Sequence, residues 1–236
     1  MTLKAVLFDF NGIIINDESI HAELVSDILL GENLRVSPED YQEVCLGRSD
    51  RACFKELLAA RGRFADDTAL AQLIDRKAQA YRQRLETLEE LPLYPVESFL
   101  SALEQSGVAI ALVTGALRVE VEAILTRASL ANYFSCIVAG DEIASSKPDP
   151  YGYLLAVERL GRAFPALNLA PKNCLAIEDT FAGIEAAKNA GMQVVGVANT
   201  YPFHMLQRCC NWTVDCLADL ELERVRAVFS GSASAT

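Results

Sequence analysis

The feature that most constrains the fold is a short buried strand that ends in polar residues near the start of the chain. Residues Ala5 to Phe8 form an apolar run, and Asp9, Asn11 and Gly12 follow it directly. Such a run is typical of a strand that is covered on both faces of a parallel sheet. In an open α/β sheet, ligands bind beyond the carboxyl ends of the strands. Asp9 is therefore a candidate site residue, although aspartate and asparagine at a strand end also start ordinary turns.

The rest of the chain predicts a doubly wound α/β core with an inserted helical cap. Strand and helix signals alternate after residue 94, which is typical of a parallel sheet. The later strands are predicted at residues 108–113, 136–139, 173–177, 193–197 and 213–214. Residues 17–90 carry only helical periodicity, so we assign them to an all-helical cap. The core is then formed by residues 1–16 and 91–230, and residues 231–236 are expected to be a disordered tail.

Composition narrows the possible partners and the compartment. The 236 residues are 51% hydrophobic, enough for a packed core, and the formal charge of −11 argues against nucleic acid and anionic membranes as partners. Neither a membrane span nor a signal peptide is expected, which favours the cytoplasm. The seven cysteines are scattered and odd in number, so we expect them to be reduced packing residues. The oligomeric state is left open.

Polar side chains follow four of the predicted strands or the loops behind them. Because the carboxyl ends of parallel strands meet at one edge of a sheet, we expect these side chains to lie together. They comprise acidic groups for a metal ion, a hydroxyl and a lysine. Each has an ordinary alternative, such as a turn, a surface lysine or a helix cap. The residues are Asp9 with Asn11, Thr114, Lys147, and Glu178 with Asp179.

In this order the junctions resemble the motifs of the haloacid dehalogenase-like (HAD) superfamily. The matching segments are Asp9 to Gly12, Val113-Thr114-Gly115, Lys147 to Pro150, and Ile177 to Thr180 with Gly183. His21, and Gly47 with Ser49, are similar to the β-phosphoglucomutase-like phosphatases and mutases with a helical cap. The resemblance covers nearly the whole chain and implies a Rossmann-like core.

The resemblance implies a Mg²⁺-dependent phosphatase that acts on a small phosphorylated metabolite. Asp9 would attack phosphorus and form an aspartyl-phosphate. Thr114 and Lys147 would hold the phosphoryl oxygens, and Lys147 would keep Asp9 ionised. The implied Mg²⁺ ligands are Asp9, the main-chain carbonyl of Asn11, Glu178 and Asp179. The expected substrate contacts are Thr114, Gly115, Lys147, Gly47, Arg48 and Lys77.

Asn11 departs from the family pattern, which has a second aspartate at this position that donates and accepts protons. An amide cannot shuttle a proton, and a general acid–base group contributes about 10²–10⁴-fold in rate. Four alternatives follow: a slow or restricted phosphatase, a phospho-ligand binding protein with little turnover, a phosphonatase-like enzyme, or a dehalogenase. A phosphonatase would need Lys55 or Lys77 as its cap lysine. The intact Glu178–Asp179 pair argues against a dehalogenase, which has no use for Mg²⁺.

The cap sequence bears on specificity. In a sugar-phosphate mutase the cap supplies an arginine to the distal phosphate, but that position is Asp50 here, so mutase activity is not expected. Arg48 is the best candidate for contact with the leaving group, with a solvent-facing arginine as the alternative. Lys77 is left open between surface and cleft. We expect His21 to pack at the cap hinge rather than to act as a base.

Overall fold

A six-stranded parallel sheet forms the centre of the molecule in this computed structural model, which describes residues 2–231. The strands are β1 (Ala5–Phe8), β2 (Ala109–Val113), β3 (Cys136–Val138), β4 (Cys174–Glu178), β5 (Gln193–Val197) and β6 (Trp212–Val214). Their order across the sheet is β3-β2-β1-β4-β5-β6. The chain reverses its direction of winding between β1 and β4, and such a switch point leaves a crevice at the carboxyl edge.

Helices cover both faces of this sheet. The α-helices of the described residues are α1 (Glu18–Gly31), α2 (Pro38–Val44), α3 (Asp50–Ala59), α4 (Asp67–Glu86), α5 (Glu97–Gln105), α6 (Arg118–Arg127), α7 (Tyr151–Ala163), α8 (Phe181–Asn189), α9 (Phe203–Leu206) and α10 (Leu222–Ser230). Helices α5, α6 and α10 pack on one face, and α7, α8 and α9 pack on the other. The strands between them are apolar because both of their faces are buried. The predicted doubly wound α/β fold is confirmed.

Along the chain, helices α1 to α4 come between β1 and the other elements of the core. They pack around an apolar cluster of their own. It includes Val25, Leu29, Phe54 and Leu57, all at most 1% exposed. The two connecting segments run side by side: the Asn16 N–H donates to the Pro92 carbonyl at 2.7 Å, and the Tyr94 N–H to the Ile14 carbonyl at 3.0 Å. The exact division into a cap at 17–90 and a core at 1–16 and 91–230 stays a prediction.

The expectation that all the cysteines are reduced was wrong for two of them. Cys45 follows α2 and Cys53 lies in α3, and the two form a disulfide. The turn between the helices brings their Cα atoms to 4.6 Å, within the range that a disulfide needs. The other five cysteines are free.

Two further expectations concern the tail and the membrane. Gly231, the first residue of the expected tail, is the C-cap of α10, where its N–H donates to the Val228 carbonyl. The disorder of the tail stays a prediction. The remaining tail residues, 232–236, lie outside the described part of the chain. Within residues 2–231 the helices are all too short or too polar to cross a bilayer.

Candidate active site

Three buried carboxylates meet where β1 and β4 end. Asp9 follows β1 directly, Glu178 is the last residue of β4, and Asp179 comes next. Each is at most 3% exposed, and one oxygen from each lies within 4.8 Å of the others. Parallel pairing of Phe8 with Ile177 aligns the two strand ends and so brings the three groups together.

Lys147 holds two of these carboxylates. Its Nζ lies 2.8 Å from Asp9 Oδ1 and 2.7 Å from Glu178 Oε1. Burial would lower the pKa of the lysine, but the two carboxylates outweigh burial and raise it, so the ammonium is charged at neutral pH. The Tyr153 hydroxyl of α7 also donates to Glu178 Oε1, at 2.6 Å. Glu178 is thereby fixed from two sides.

Lys147 favours the charged form of Asp9, as expected, but it is not the only influence on the pKa of this carboxyl. Burial and the neighbouring Glu178 raise the pKa of Asp9 to about 7, although Lys147 and the Phe10 N–H favour the charged form. One ammonium shared between two carboxylates does not offset the loss of water around both. Lys147 therefore lowers the pKa of Asp9 without outweighing burial and Glu178, and one ammonium faces a cluster of three carboxylates.

The cluster fits a divalent cation with oxygen ligands. Asp179 Oδ1 is buried and has no hydrogen-bond partner, and burial with the charges of Asp9 and Glu178 raises the pKa of Asp179 well above its usual value. Oxygen ligands from carboxylates are what Mg²⁺ prefers. Gly12 keeps this space open: its φ is +78°, and a Cβ there would lie 1.8 Å from Asp179 Oδ2.

Thr114 and Gly115, which directly follow β2, form another part of the site. Thr114 is 1% exposed, and its Oγ1 accepts the Ala116 N–H at 3.0 Å, so the hydroxyl proton is left to donate. A Cβ on Gly115 would lie 2.5 Å from the Arg48 carbonyl oxygen of the cap. Glycine at this position thus lets the cap approach the end of β2 closely.

Asn11 is tied to a polar network that the sequence did not reveal. Its Nδ2 donates to both Asp17 carboxylate oxygens, at 3.0 and 3.1 Å, and lies 3.1 Å from His21 Nε2. The Tyr81 hydroxyl also donates to Asp17, which is fully buried. Burial would raise the pKa of Asp17, but His21, Asn11 and Tyr81 outweigh it and hold the pKa below its usual value. His21 is buried in α1, where it stacks on Tyr81 of α4; its position at a cap hinge stays a prediction.

The cap residues singled out from the sequence line the same cavity as Asp9. Lys77 is 2% exposed and lines the cavity, so it lies in the cleft and not on the surface. Gly47, with φ +73°, packs so closely on Thr180 that a Cβ would lie 2.3 Å from its Oγ1. The predicted residues that line this cavity are Asp9, Asn11, Gly47, Arg48, Lys77 and Gly115.

Two further residues support the site from the loop after β5. The Asn199 side chain donates to the Gly12 carbonyl at 2.6 Å, and the Thr200 hydroxyl donates to Asp179 Oδ2. Both were missed by the sequence analysis. The rule that polar residues at strand ends share one edge of the sheet could have found them, since β5 ends just before them.

Comparison with known proteins agrees with this geometry. Residues 6–197 match the family model of the haloacid dehalogenase-like hydrolases. The chain belongs to this family. It is 31% identical over 209 residues to protein CbbY from Rhodobacter capsulatus, an alignment that covers 85% of this chain and 88% of that protein. The fructose-1-phosphate phosphatase YqaB from Escherichia coli is 29% identical over 195 residues, covering 81% of this chain and 95% of that phosphatase.

Solved structures of the HAD superfamily share the fold. The crystal structure of β-phosphoglucomutase from Clostridium difficile superposes with a TM-score of 0.84 at 20% identity, covering 97% of this chain and 98% of that one. The resemblance inferred from the motifs is thus confirmed, and the chain is a HAD-like phosphatase of the phosphatase- and mutase-like subfamily.

Proposed function

We propose that this HAD-like phosphatase hydrolyses phosphomonoesters of small metabolites through Asp9, with Mg²⁺ as its cofactor. The observation that carries the proposal is the position of Asp9, which lines the cavity and contacts Lys147 within a buried cluster of three carboxylates. A nucleophile that faces the substrate beside a fixed cation is what attack on a phosphate dianion requires. The name of YqaB supports a sugar phosphate or a similar metabolite as the substrate.

Asp9, Glu178, Asp179 and the main-chain carbonyl of Asn11 would hold the Mg²⁺. Bound there, the ion would supply the positive charge that the carboxylates lack and stabilise charge on the phosphoryl oxygens. The unpartnered Asp179 Oδ1 and the raised pKa of Asp179 support this assignment. The Asn199 and Thr200 side chains would keep the Gly12 turn and Asp179 in place.

The reaction proceeds in two displacements. A carboxylate oxygen of Asp9 attacks phosphorus, the bond to the alcohol oxygen breaks, and the leaving group departs as the alcohol after it gains a proton. Water then attacks the aspartyl-phosphate, which restores Asp9 and releases inorganic phosphate. Thr114 and Lys147 hold the phosphoryl oxygens during both steps.

Asn11 limits both proton transfers. Its amide can orient a leaving group or a water molecule but cannot exchange a proton with either. The leaving group must therefore take its proton from water, or be stable without one, as an acyl phosphate is. We accordingly expect a slow enzyme, or one restricted to good leaving groups. The alternative is a phospho-ligand binding protein, which is favoured by the bonds that hold the Asn11 amide to Asp17.

The proposal is tested by phosphate release from a panel of phosphorylated metabolites, with Mg²⁺ and with EDTA. We expect Mg²⁺-dependent release that the Asp9→Asn variant loses. Asp27→Asn, the same change at an exposed position of α1, should behave as the wild type and serves as the control. Release that persists in Asp9→Asn, or in EDTA, would overturn the assigned nucleophile or cofactor, respectively.

A further inference from the structure

We propose that the cap side of the cleft selects phosphomonoesters whose alcohol ends in a hydroxyl or ammonium group and rejects those that carry a second anion. This inference rests on the proposed function of the same site. It concerns the part of the substrate that lies beyond the phosphate, and it assigns the discrimination to Asp50.

The two permanently cationic side chains that line the cavity within the described residues are both neutralised by carboxylates. Lys77 Nζ donates to both oxygens of Asp50, at 2.7 and 2.8 Å. Arg48 Nη1 lies 2.6 Å from Glu56 Oε2. Lys77 is therefore available to a second phosphate or carboxylate only if its ion pair with Asp50 breaks. The Arg48–Glu56 pair is more exposed, with 23% and 52% of the two side chains accessible, and holds Arg48 less firmly.

The Lys77–Asp50 pair is set deep in the protein. The Lys77 side chain is 2% exposed and that of Asp50 is 13% exposed, so water screens the pair poorly. Removing one partner of such a pair leaves a buried charge uncompensated, which is costly. An incoming anion would have to displace Asp50 from Lys77 and would leave the Asp50 carboxylate without its partner.

The charge of Lys77 also acts on two further carboxyl groups, those of Glu18 and Glu120. Glu18 lines the cavity and accepts the Tyr41 hydroxyl at 2.6 Å. Glu120 of α6 is 1% exposed, and its Oε1 is buried without a hydrogen-bond partner. Burial raises the pKa of Glu120; the charge of Lys77 opposes this rise and that of Asp50 adds to it, so the three groups lie within electrostatic reach of each other.

The net charge on the cap side of the cleft is thus negative or neutral. On the side where the phosphate would bind, Lys147 supplies positive charge. A hydroxyl or ammonium on the substrate can donate to Asp50 or Glu18. An anion at the same place would face these carboxylates, and like charges brought together in an interface suppress binding strongly. A bisphosphate or a phosphorylated acid is therefore disfavoured.

The test uses three phosphates with the same two-carbon chain and different ends: O-phosphoethanolamine, 2-hydroxyethyl phosphate and 2-phosphoglycolate. We expect kcat/KM for the first two to exceed that for 2-phosphoglycolate by at least about tenfold, a like-charge penalty of modest size. Equal values, or a preference for 2-phosphoglycolate, would overturn the proposal. This comparison needs only the wild-type protein.

The assignment to Asp50 is tested with Asp50→Asn, which keeps the shape of the side chain and removes its charge. We expect the preference against 2-phosphoglycolate to shrink by about tenfold, because Lys77 is freed. Glu23→Gln breaks an exposed cap ion pair with Arg84 and should leave the preference unchanged. An unchanged preference in Asp50→Asn, with 2-hydroxyethyl phosphate still turned over, would refute the assignment.

Failure of this inference can be separated from failure of the proposed function. If none of the three is turned over but p-nitrophenyl phosphate is hydrolysed in an Asp9-dependent way, the inhibition constants of the three against that substrate provide the same comparison. If p-nitrophenyl phosphate is not hydrolysed either, the proposed function fails. Calorimetric titration of the three ligands into the Mg²⁺-loaded protein then decides the inference alone, and equal binding or no binding overturns it.

Discussion

Buried side chains beyond the family motifs decide how the motif residues are held. Asp17 is fully buried and accepts hydrogen bonds from Asn11 and Tyr81, while Thr200 donates to Asp179. Such supporting partners fix the orientation of the groups that bind ligand or metal. The affinity of the site for a ligand or a metal ion should therefore depend also on residues that contact neither of them.

Thr200 provides a direct test of this support. We expect Thr200→Val to weaken Mg²⁺ binding by about 10–100-fold, because the donor that orients Asp179 is lost. Calorimetric titration of Mg²⁺ measures the effect without any turnover. Thr126→Val, the same change on the exposed side of α6, should bind Mg²⁺ as the wild type does. Unaltered affinity in Thr200→Val would show that Thr200 does not position a ligand.

At this scale the sequence predicted the residues of the strand ends but not their supporting partners. Asp9, Lys147 and Glu178 were found because parallel strands align their ends, and the structure places all three in contact. Asp17 carries no signal of its own in the sequence. Its burial depends on Tyr81, 64 residues further along, and local patterns carry no signal for such a long-range contact.

The turn between α2 and α3 of the cap approaches the core closely at a glycine. Gly115, after β2, faces the backbone of Arg48 in the turn between α2 and α3. In the same turn the Ser49 N–H donates to Ser146 Oγ at 2.7 Å, next to Lys147. The turn between α2 and α3 thus docks against the two loops that carry Thr114 and Lys147.

A methyl group on Gly115 should separate these elements. We expect Gly115→Ala to lower kcat/KM by about 10–100-fold, because its Cβ would lie 2.5 Å from the Arg48 carbonyl and misplace the cap. Gly161→Ala in α7 is the control, since nothing lies within 4 Å of the added Cβ. Steady-state kinetics on the best substrate of the panel check this. Full activity in Gly115→Ala would mean that close docking of this turn is not needed.

The Cys45–Cys53 disulfide bridges the turn between α2 and α3. We expect the unfolded, unreduced protein to contain five thiols that react with iodoacetamide and the reduced protein to contain seven. Intact mass after alkylation counts them. Reduction should also lower the free energy of unfolding by roughly 2 kcal/mol, because the closed loop restricts the unfolded chain. Seven reactive thiols without reductant would contradict the Cys45–Cys53 bond.

Elements were more predictable than their junctions. The strands were found within about a residue because their apolar runs are covered on both faces, which leaves a simple pattern. The disulfide was not found, because Cys45 and Cys53 are brought together by a turn whose shape depends on Gly47 at φ +73°. The spacing of two cysteines in sequence does not determine that shape.

At the scale of the whole molecule, the candidate site lies within an acidic protein. The formal charge is −11, so under the proposed function Lys147 together with a bound Mg²⁺ would have to attract the anionic substrate against this charge. The absence of nucleic-acid and membrane partners, the cytoplasmic location and the oligomeric state stay open to measurement.

Ion pairs that link helices on opposite faces of the sheet should make the stability of the folded protein depend on pH. Glu142 contacts Arg118 of α6 and Arg159 of α7, which lie on opposite faces. Burial would raise the pKa of Glu142, but the Ala139 N–H and the two guanidiniums outweigh it and lower the pKa from 4.5. The pKa of Glu142 is thus lower in the folded than in the unfolded protein. Its ion pairs therefore contribute fully to the stability of the folded state at pH values above the unfolded-state pKa. This contribution is lost as the pH falls through the folded-state pKa.

We therefore expect Glu142→Gln to lower the free energy of unfolding by roughly 1 kcal/mol near pH 7, as for other partly exposed ion pairs. The difference from the wild type should vanish at pH values below the lowered pKa. Urea unfolding at a series of pH values measures it. Glu158→Gln, which affects an exposed pair with Arg162 on α7, should show a smaller difference. A difference that grows towards acid would contradict the assigned sign.

The most direct test of the central claim is kcat for one alkyl phosphate, measured side by side for the wild type and Asn11→Asp. Peptide mass must first show that Asn11 has not deamidated to aspartate. We predict slow Mg²⁺-dependent turnover by the wild type and a rate about 10²–10⁴-fold higher for Asn11→Asp, which restores a proton-transfer group beside Asp9. A wild type without turnover beside an active Asn11→Asp would contradict the proposed phosphatase and leave a binding protein in its place.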